Sequence, residues 1–156
     1  MRPIYGEYEC RLDSKGRFAF PSGLKKQLPD DQQKEFVLNR GLDECLVLYP
    51  VKVWEAELRK IHSRNQYVAK NRAFARMFQS GALPVELDAS NRVLIPKRLA
   101  AHAKIDQDIV VVASFDRIEI WDKASYETWL SSGQYDMEAL SEEVMGNLPD
   151  TQEDEG

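Results

Sequence analysis

Two pairs of oppositely charged side chains recur in the chain with the same spacing. Asp13 stands four residues before Arg17, and Asp88 stands four residues before Arg92. An aspartate that opens a tight turn can accept backbone N–H bonds and can also pair with a guanidinium four residues further on. An arginine held in this way is a rigid two-pronged donor, the group that best matches O6 and N7 of guanine in the major groove. The spacing therefore suggests recognition of nucleic acid.

The motif gains weight because it lies inside a longer repeat. Residues 12–21 recur as residues 87–96, with Leu, Asp, Arg and Pro identical at matched positions, and a leucine follows each proline by three residues, at Leu24 and Leu99. A single D-x-x-x-R is common by chance and more often stabilises a turn without binding anything. Because the motif is duplicated, ligand binding and turn stabilisation are equally good interpretations of it. The duplication also indicates two copies of one supersecondary unit.

The residues at the tips of the two turns differ. Gly16 suits a backbone with positive φ, and its counterpart Asn91 is the next most tolerant residue of that conformation, so the same turn geometry is expected in both copies. Lys15 lies at the tip of the first turn and can reach a phosphate, whereas Ser90 takes its place in the second copy. We therefore expect the first turn to contribute more to affinity.

Alternating and β-branched segments around each turn predict a unit of strand, turn, strand, short helix, strand, turn and strand. The predicted strands are residues 8–12, 17–20, 36–39 and 46–49 in the first unit, and 85–87, 92–95, 109–114 and 117–121 in the second, with short helices at 22–28 and 97–103. A unit of about 45 residues is too small to be stable alone. We expect the two units to bury a shared core, as a pseudo-dimer within one chain.

Helices are predicted between and after the two units. Residues 51–80 have apolar positions near helical spacing and predict a helix, in which Trp54 and Phe74 are expected to be core residues rather than a partner-binding surface. A further helix is predicted to start over residues 124–130, and its pattern weakens towards Leu140 and Met145.

The charge is distributed unevenly along the chain. Residues 135–156 carry eight of the 26 acids and no Lys or Arg, which leaves 18 acids against 21 bases in the rest of a chain whose net charge is -5. Residues 59–76 hold six bases and no acid. Basic patches on the body and a separate acidic tail are compatible with a polyanion as partner, although a solvated helix face and a solubilising tail would give the same pattern.

Other function classes find no support in the sequence. No nucleophile elbow, P-loop or dinucleotide-binding glycine pattern occurs, and His62, His102, Cys10 and Cys45 lack any paired metal-ligand spacing. No apolar run approaches the roughly 18 residues of a membrane helix. We expect no enzyme, metal, cofactor, small-molecule substrate or membrane partner, with both cysteines as buried reduced thiols and both histidines at the surface or at helix ends.

The complete pattern resembles the MraZ family of bacterial transcriptional regulators over residues 1–146. The resemblance rests on the two D-x-x-x-R turns, on Pro21 and Pro96 after the following strands, on Tyr49 or Trp121 at the end of the last strand, and on the helical linker. It implies a mainly β fold with flanking helices, in which two swapped-hairpin units of the AbrB/MazE type form a pseudo-dimeric double-split β-barrel. The expected domains are 1–50 and 81–123 for the units, 51–80 for the linker and 124–148 for C-terminal helices. Residues 149–156 are expected from their composition to be a disordered acidic tail, which the resemblance does not explain.

The resemblance also implies a function and a site. Members of this family bind short G-rich direct repeats upstream of their own operon, the division and cell-wall gene cluster, and assemble into rings. The implied DNA-facing residues are Asp13, Lys15, Gly16, Arg17, Asp88, Asn91 and Arg92. We expect a cytoplasmic, nucleoid-associated homo-oligomer that binds double-stranded DNA and acts as a repressor rather than as an activator. The alternative is an antitoxin-like interaction protein with a similar DNA-binding body and an acidic tail that blocks a toxin.

Overall fold

A computed structural model describes residues 1–146 as a mixed α/β protein. Within these residues the strands are β1 (Glu7–Arg11), β2 (Arg17–Ala19), β3 (Glu35–Arg40), β4 (Leu46–Pro50), β5 (Leu83–Glu86), β6 (Arg92–Leu94), β7 (Asp108–Ser114) and β8 (Arg117–Asp122). The helices are α1 (Ser22–Lys25), α2 (Val51–His62), α3 (Ala69–Gln79), α4 (Lys97–His102), α5 (Lys123–Ser131) and α6 (Met137–Met145), with a short 3-10 turn at Asp30–Gln32.

Six strands form one antiparallel sheet in which the two repeats exchange their first strands. Its order is β1-β7-β8-β4-β3-β5, so the first strand of each repeat pairs with the third strand of the other. At the centre β4 pairs with β8, where Val47 lies opposite Glu119. The order reads the same from either end once equivalent strands are exchanged, which is the pseudo-dimeric arrangement that the repeat predicted.

The two remaining strands form a separate ribbon. β2 pairs with β6 in antiparallel register, with Phe18 opposite Val93. Both of these side chains are almost completely buried, whereas Ala19 and Leu94 face outward. Among residues 1–146 the six-stranded sheet is open, with β1 and β5 at its edges, so the strand pairing does not confirm a closed barrel.

Both repeats contribute to the main hydrophobic core. Matched leucines, Leu24 after the first proline and Leu99 after the second, are fully buried there. The same core contains Ile4, Leu12, Phe18, Phe20, Leu28, Phe36, Leu38, Leu46, Leu48, Leu87, Val93, Ile95, Ala103, Ile109, Val111, Ile118 and Ile120. Because alternate residues of the strands point into this core, the two turns are carried on a rigid, shared support.

The linker is not one helix over residues 51–80, as the sequence predicted, but two helices separated by residues 63–68. Polar side chains at the break bond to nearby backbone: the Ser63 hydroxyl donates to the Lys60 carbonyl at 2.7 Å, and Asn65 Oδ1 accepts from the Tyr67 N–H at 2.9 Å. Such local bonds compete with a continuing helix. The break allows α3 to fold back over α2.

Trp54 is a core residue, as predicted, and Phe74 is not. Trp54 is buried in a second cluster with Val37, Val47 and Tyr49, and its ring stacks on Phe78 at 5.6 Å between centroids. Phe74 packs on the Phe78 ring, at 5.8 Å between centroids, and half of it is exposed. The prediction that Phe74 is a core residue is therefore wrong.

Smaller differences from the sequence prediction occur at helix ends and cysteines. α1 ends at Lys25 rather than at residue 28, shortly before Pro29, which cannot extend a helix. Cys45 is buried, as predicted, and burial raises its pKa to about 12, whereas Cys10 is only partly buried. Both cysteines are free thiols.

The described chain divides into two compact units, the first comprising Met1–Ser125 and the second beginning at Tyr126. In the second unit, Asp136 caps the start of α6, because its Oδ2 accepts from the Ala139 N–H at 3.0 Å. The acidic tail predicted for residues 149–156 lies outside the described residues. No helix within residues 1–146 is long and apolar enough to cross a membrane.

Candidate nucleic-acid interface

The first D-x-x-x-R turn is held by its own aspartate. Asp13 Oδ1 accepts the backbone N–H groups of Lys15 and Arg17, each at 2.9 Å, while Oδ2 accepts Nε of Arg17 at 3.0 Å. The Gly16 N–H closes the turn on the Asp13 carbonyl at 3.0 Å, with φ of 82° at Gly16. The expectation that one carboxylate would organise both the turn and the arginine is therefore confirmed.

The second turn has the same bonds. Asp88 Oδ1 accepts the N–H groups of Ser90 and Arg92 at 2.9 Å each, and Oδ2 accepts Nε of Arg92 at 2.9 Å. Asn91 takes the place of Gly16 with φ of 58°, and its N–H donates to the Asp88 carbonyl at 2.9 Å. The predicted equivalence of the glycine and the asparagine is confirmed.

These bonds use the inner edge of each guanidinium and leave its outer donors available. Only Nε of Arg17 and of Arg92 bonds to the adjacent carboxylate, so the terminal Nη groups can still donate to another acceptor. The backbone N–H of each arginine is the largest cause that lowers the pKa of its aspartate. Both carboxylates are therefore ionised at neutral pH and keep the arginine side chains oriented.

The ribbon brings the two turns together, although 75 residues separate them in the chain. The Phe20 N–H donates to the carbonyl of Asn91 at 2.9 Å, and the equivalent Ile95 N–H donates to the carbonyl of Gly16 at 2.9 Å. The tip of each turn is thus bonded to the end of the other repeat's strand. Two short strands with this register hold the turns at a fixed separation.

The charged groups of the two turns form one cluster. Asp13 Oδ2 lies 3.0 Å from Nε of Arg17 and 4.0 Å from Nη1 of Arg92. The arginine side chains are 26% and 35% exposed, so they are accessible at one edge and supported at the other. All seven residues predicted from the sequence lie in or at the two turns: Asp13, Lys15, Gly16, Arg17, Asp88, Asn91 and Arg92.

A residue that the sequence prediction missed lies beside the second turn. Nζ of Lys25, at the end of α1, donates to Oδ1 of Asn91 at 2.8 Å. The second turn lacks a lysine at Ser90 but receives this ammonium group from the first repeat. The only signal in the sequence was that Lys25 follows Pro21 by four residues, and no local pattern indicated that this helix end would reach the other turn.

The first turn borders a groove of about 600 Å3. Besides the turn itself, the groove is lined by Ile95, Lys97, Ala100, Ile105, Asp106 and Gln107. Ala100 occupies the position equivalent to Lys25, so no ammonium reaches Gly16 from that position, while Lys97 is exposed in the same groove. Each turn is therefore accompanied by lysine, the first by exposed Lys15 and Lys97 and the second by half-buried Lys25.

Comparisons with known proteins point to one family. A family model described as "MraZ protein, putative antitoxin-like" matches the chain twice, over residues 4–77 and 77–147. A transcriptional regulator MraZ of Flavobacterium psychrophilum is 46% identical over 151 residues, which is 96% of each chain. Similar proteins of the same name occur in Christiangramia forsetii, at 42% identity over 94% of this chain and 96% of the relative, and in Acetivibrio thermocellus, at 35% over 90% and 96%.

The chain belongs to the MraZ family. The two matched segments meet at residue 77, inside α3, and each contains one complete D-x-x-x-R turn. The prediction that the chain is not an enzyme agrees with the MraZ relatives, which are named as transcriptional regulators. Within residues 1–146 no group of three or more His, Cys, Asp or Glu side chains could hold a metal ion.

Proposed function

We propose that this MraZ-family chain is a sequence-specific DNA-binding regulator of transcription that reads guanine-rich direct repeats through Arg17 and Arg92. Its targets are repeats in the upstream region of its own operon, within the division and cell-wall gene cluster, and its effect there is repression. The protein acts in the cytoplasm on the nucleoid.

One observation carries the proposal: two arginines on neighbouring turns are fixed by identical bonds and keep their terminal donors available. Nε of each arginine is bound to its own aspartate at 2.9 to 3.0 Å. A guanidinium with fixed orientation loses little entropy when it binds a base edge, and its fork matches guanine better than any other base. A turn that served only to stabilise the fold would not need exposed donors in both copies.

Lysines around the turns supply the sequence-independent part of binding. Lys15 is exposed at the tip of the first turn, Lys25 lies against the second, and Lys97 lies in the groove beside the first. Contacts of lysine with phosphate give affinity and a dependence on salt without discriminating between sequences. The arrangement therefore combines base-reading and phosphate-binding groups on one surface.

The number of arginines implies that several copies act together. Two arginine–guanine contacts give about 1–3 kcal/mol each, which is modest discrimination for one chain. Several subunits on consecutive repeats would multiply it through effective concentration. A head-to-tail ring that presents its turns along one rim would suit direct repeats spaced by about one helical turn of DNA. Light scattering should thus give a mass well above a dimer of the 17.9 kDa chain, and a monomeric mass at micromolar concentration would contradict the assembly.

The DNA-binding proposal is tested by selecting bound duplexes from a random pool and then measuring binding to the protein's own upstream region. We expect enrichment of guanine-rich repeats and tight binding to that region in fluorescence anisotropy. Reporter expression from the same region should rise when the gene is deleted. An enriched pool without guanine preference would contradict the proposal.

A second candidate function follows from the description of the family model as antitoxin-like. In that case the DNA-binding body would carry an acidic segment, residues 135–156, that blocks a toxin partner. The two candidates differ in gene neighbourhood, because an antitoxin gene stands beside a small toxin gene and a regulator of this family beside cell-wall and division genes.

A further inference from the structure

A small cationic pocket lies between the end of β3, the residues after α3 and helix α4. It has a volume of about 210 Å3 and is lined by Arg40, Ser80, Gly81, Arg98, Leu99 and His102. Within residues 1–146 no carboxylate lies within 4.0 Å of the guanidinium nitrogens of Arg40 or Arg98. Two guanidinium groups without an acidic partner therefore border one cavity.

The Arg40 guanidinium is held in place by hydrogen bonds to the chain after α3. Nη2 of Arg40 donates to the Met77 carbonyl at 2.9 Å and also to the Ser80 hydroxyl. Gly81 leaves room for this side chain, because a Cβ at that position would lie 2.8 Å from Nε of Arg40. Arg40 is thus fixed against the wall of the pocket with donors to spare.

His102 has a buried nitrogen without a bonding partner. Its Nε2 is the one buried side-chain N or O atom of the described residues for which no hydrogen bond exists. A buried polar atom without a hydrogen bond is unfavourable, so such atoms are rare and usually have a ligand or an ordered water as partner. An Nε2–H of His102 would donate to an anion placed between the two arginines.

The equivalent position in the first repeat is closed. Gln27 corresponds to His102, and its side chain bonds to both backbone groups of Tyr5, accepting from the N–H at 2.9 Å and donating to the carbonyl at 2.8 Å. Gly23 stands in the place of Arg98, and Ala113 in the place of Arg40 by strand register. The pocket therefore does not follow from the fold of the repeat, since none of Arg40, Arg98 and His102 has a counterpart of the same chemistry at the equivalent position.

An apolar groove adjoins the cationic pocket. Its volume is about 460 Å3, and it shares Arg40, Ser80 and His102 with the pocket. Its other walls are Gly41, Leu42, Phe74, Met77 and Phe78. Leu42, Phe74 and Met77 are 88%, 50% and 70% exposed, an unusual density of large apolar side chains for an exposed surface. A cationic end next to an apolar wall fits a molecule with the matching polarity.

We propose that this surface binds a small amphiphilic anion, an oxyanion head group attached to an apolar body, as an effector of the protein. The head group accepts hydrogen bonds from Arg40, Arg98 and His102, and the apolar part lies on Phe74 and Met77. The site is separate from the two turns, and its ligand binding can be measured whether or not the chain binds DNA.

The test is isothermal titration of the full chain, in a phosphate-free buffer, with octyl phosphate below its micelle concentration, inorganic phosphate and 1-octanol. We expect octyl phosphate to bind about tenfold or more tightly than inorganic phosphate, because burial of two methylene groups already gives that factor. Octanol should bind more weakly than octyl phosphate, since it leaves the cationic groups unsatisfied. Equal binding of octanol and octyl phosphate would overturn the anion site.

Two variants and one matched control locate the binding. Arg98→Ala removes an exposed guanidinium, and His102→Gln introduces the amide that closes the equivalent position in the first repeat. Each should weaken octyl phosphate by about tenfold, the value of one charge-assisted hydrogen bond. Arg59→Ala removes an exposed arginine of α2 and should leave binding unchanged. Equal affinities for all three variants and the wild type would overturn the proposal.

Two further measurements separate other occupants of the same surface. Arg98→Ala should bind the selected DNA as the wild type does. A loss of DNA affinity as large as its loss of octyl phosphate affinity would assign the cations to a DNA phosphate and overturn the effector site. If octyl phosphate fails to bind the wild type, the proposal is wrong. A loss of assembly in Phe74→Ser would then assign the groove to a second copy of the chain.

Discussion

The two repeats of this chain agree at their turns and differ at the helix that follows. In both turns one aspartate accepts two backbone N–H groups and the arginine Nε, at distances that agree to within 0.1 Å. At the helices, Gln27 closes its position on Tyr5, whereas His102 leaves a pocket open. A turn that is stabilised by its own aspartate can stay the same while its surroundings diverge, because its hydrogen bonds depend little on neighbouring elements.

The same comparison changes the expectation about charge. The sequence suggested a weaker second turn, because Ser90 stands where the first turn has Lys15. In the structure Lys25 contacts Asn91 at the second turn, and its own counterpart is Ala100. Each turn thus has a lysine close to its tip, and we expect the two turns to contribute more nearly equally to affinity than the sequence alone suggested.

The largest expected effect comes from removing the arginines. Arg17→Ala and Arg92→Ala should each weaken binding to the selected site by about 1–3 kcal/mol and relax its sequence preference. Because the two turns are equivalent in their bonds, the two losses should be similar, and the double variant should bind selected and scrambled DNA alike in fluorescence anisotropy. Arg59→Ala is the control, with circular dichroism to confirm folding. A folded double variant that keeps its preference would make the turns purely structural.

A smaller effect is expected on stability at the positive-φ positions. Gly16→Ala should lower the free energy of unfolding by about 1–2 kcal/mol, since a side chain is strained in the left-handed region. The added Cβ would also lie 3.2 Å from the Ile95 carbonyl oxygen of the ribbon. Asn91→Gly relieves the same strain in the second turn and should leave stability unchanged or slightly raised. Urea unfolding measures both, and equal destabilisation by the two changes would contradict the equivalence of the turns.

A pH-dependent effect is expected from the turn carboxylates. Hydrogen bonds from the Arg17 backbone N–H lower the pKa of Asp13. The ionised carboxylate therefore contributes stability above the ordinary carboxyl pKa of about 3.9, and that contribution is lost as pH falls through the lowered pKa. The stability difference between wild type and Asp13→Asn should thus be constant above about pH 5 and shrink in stronger acid.

Asp88→Asn gives the matched measurement on the second turn, where the pKa is lowered for the same reason. Thermal unfolding across this pH range should give two curves of the same shape.

In DNA binding, Asp13→Asn should lower the affinity more than Asp88→Asn does, because Asp13 Oδ2 also lies 4.0 Å from Nη1 of Arg92. Both should cost less than loss of the arginine itself. In the unfolding experiments, a stability difference between wild type and variant that does not change with pH would show that the carboxylate charge does not stabilise the turn.

The smallest expected effect concerns the lysines. Lys15→Ala and Lys25→Ala should each flatten the slope of log affinity against log salt by about 0.9, the value for one phosphate contact, and weaken all sequences alike. Lys26→Ala changes an exposed neighbour of Lys25 and is the control. If Lys25→Ala leaves the slope unchanged while Lys15→Ala flattens it, the second turn is the weaker one, as the sequence alone suggested.

The sequence predicted the local features of the candidate site well. Asp13 and Asp88 form the expected bonds, and Gly16 and Asn91 adopt the expected positive φ. These features depend on residues within five positions of one another, so the chain near each turn contains all the information needed. The strands around the turns were predicted to within two residues for the same reason.

The errors concern features that distant residues decide. The linker breaks at residues 63–68, which allows Phe78 to stack on Trp54, while helical spacing alone favoured one uninterrupted helix. Phe74 has the same periodicity as a core residue, but it packs on Phe78 at the surface and is half exposed. Amphipathic spacing specifies which face of a helix is apolar and not how much of that face is covered.

What the sequence determined by itself is the pair of turns, the repeat that carries them and the family to which the chain belongs. Tertiary structure alone decided that Asp13 approaches Arg92, that Lys25 reaches Asn91, and that a pocket opens at His102. Turn geometry arises from bonds between neighbours in the chain, whereas these features arise from the packing of one repeat against the other. That packing places residues 66 to 79 positions apart within 4.0 Å of each other, and no local pattern encodes it.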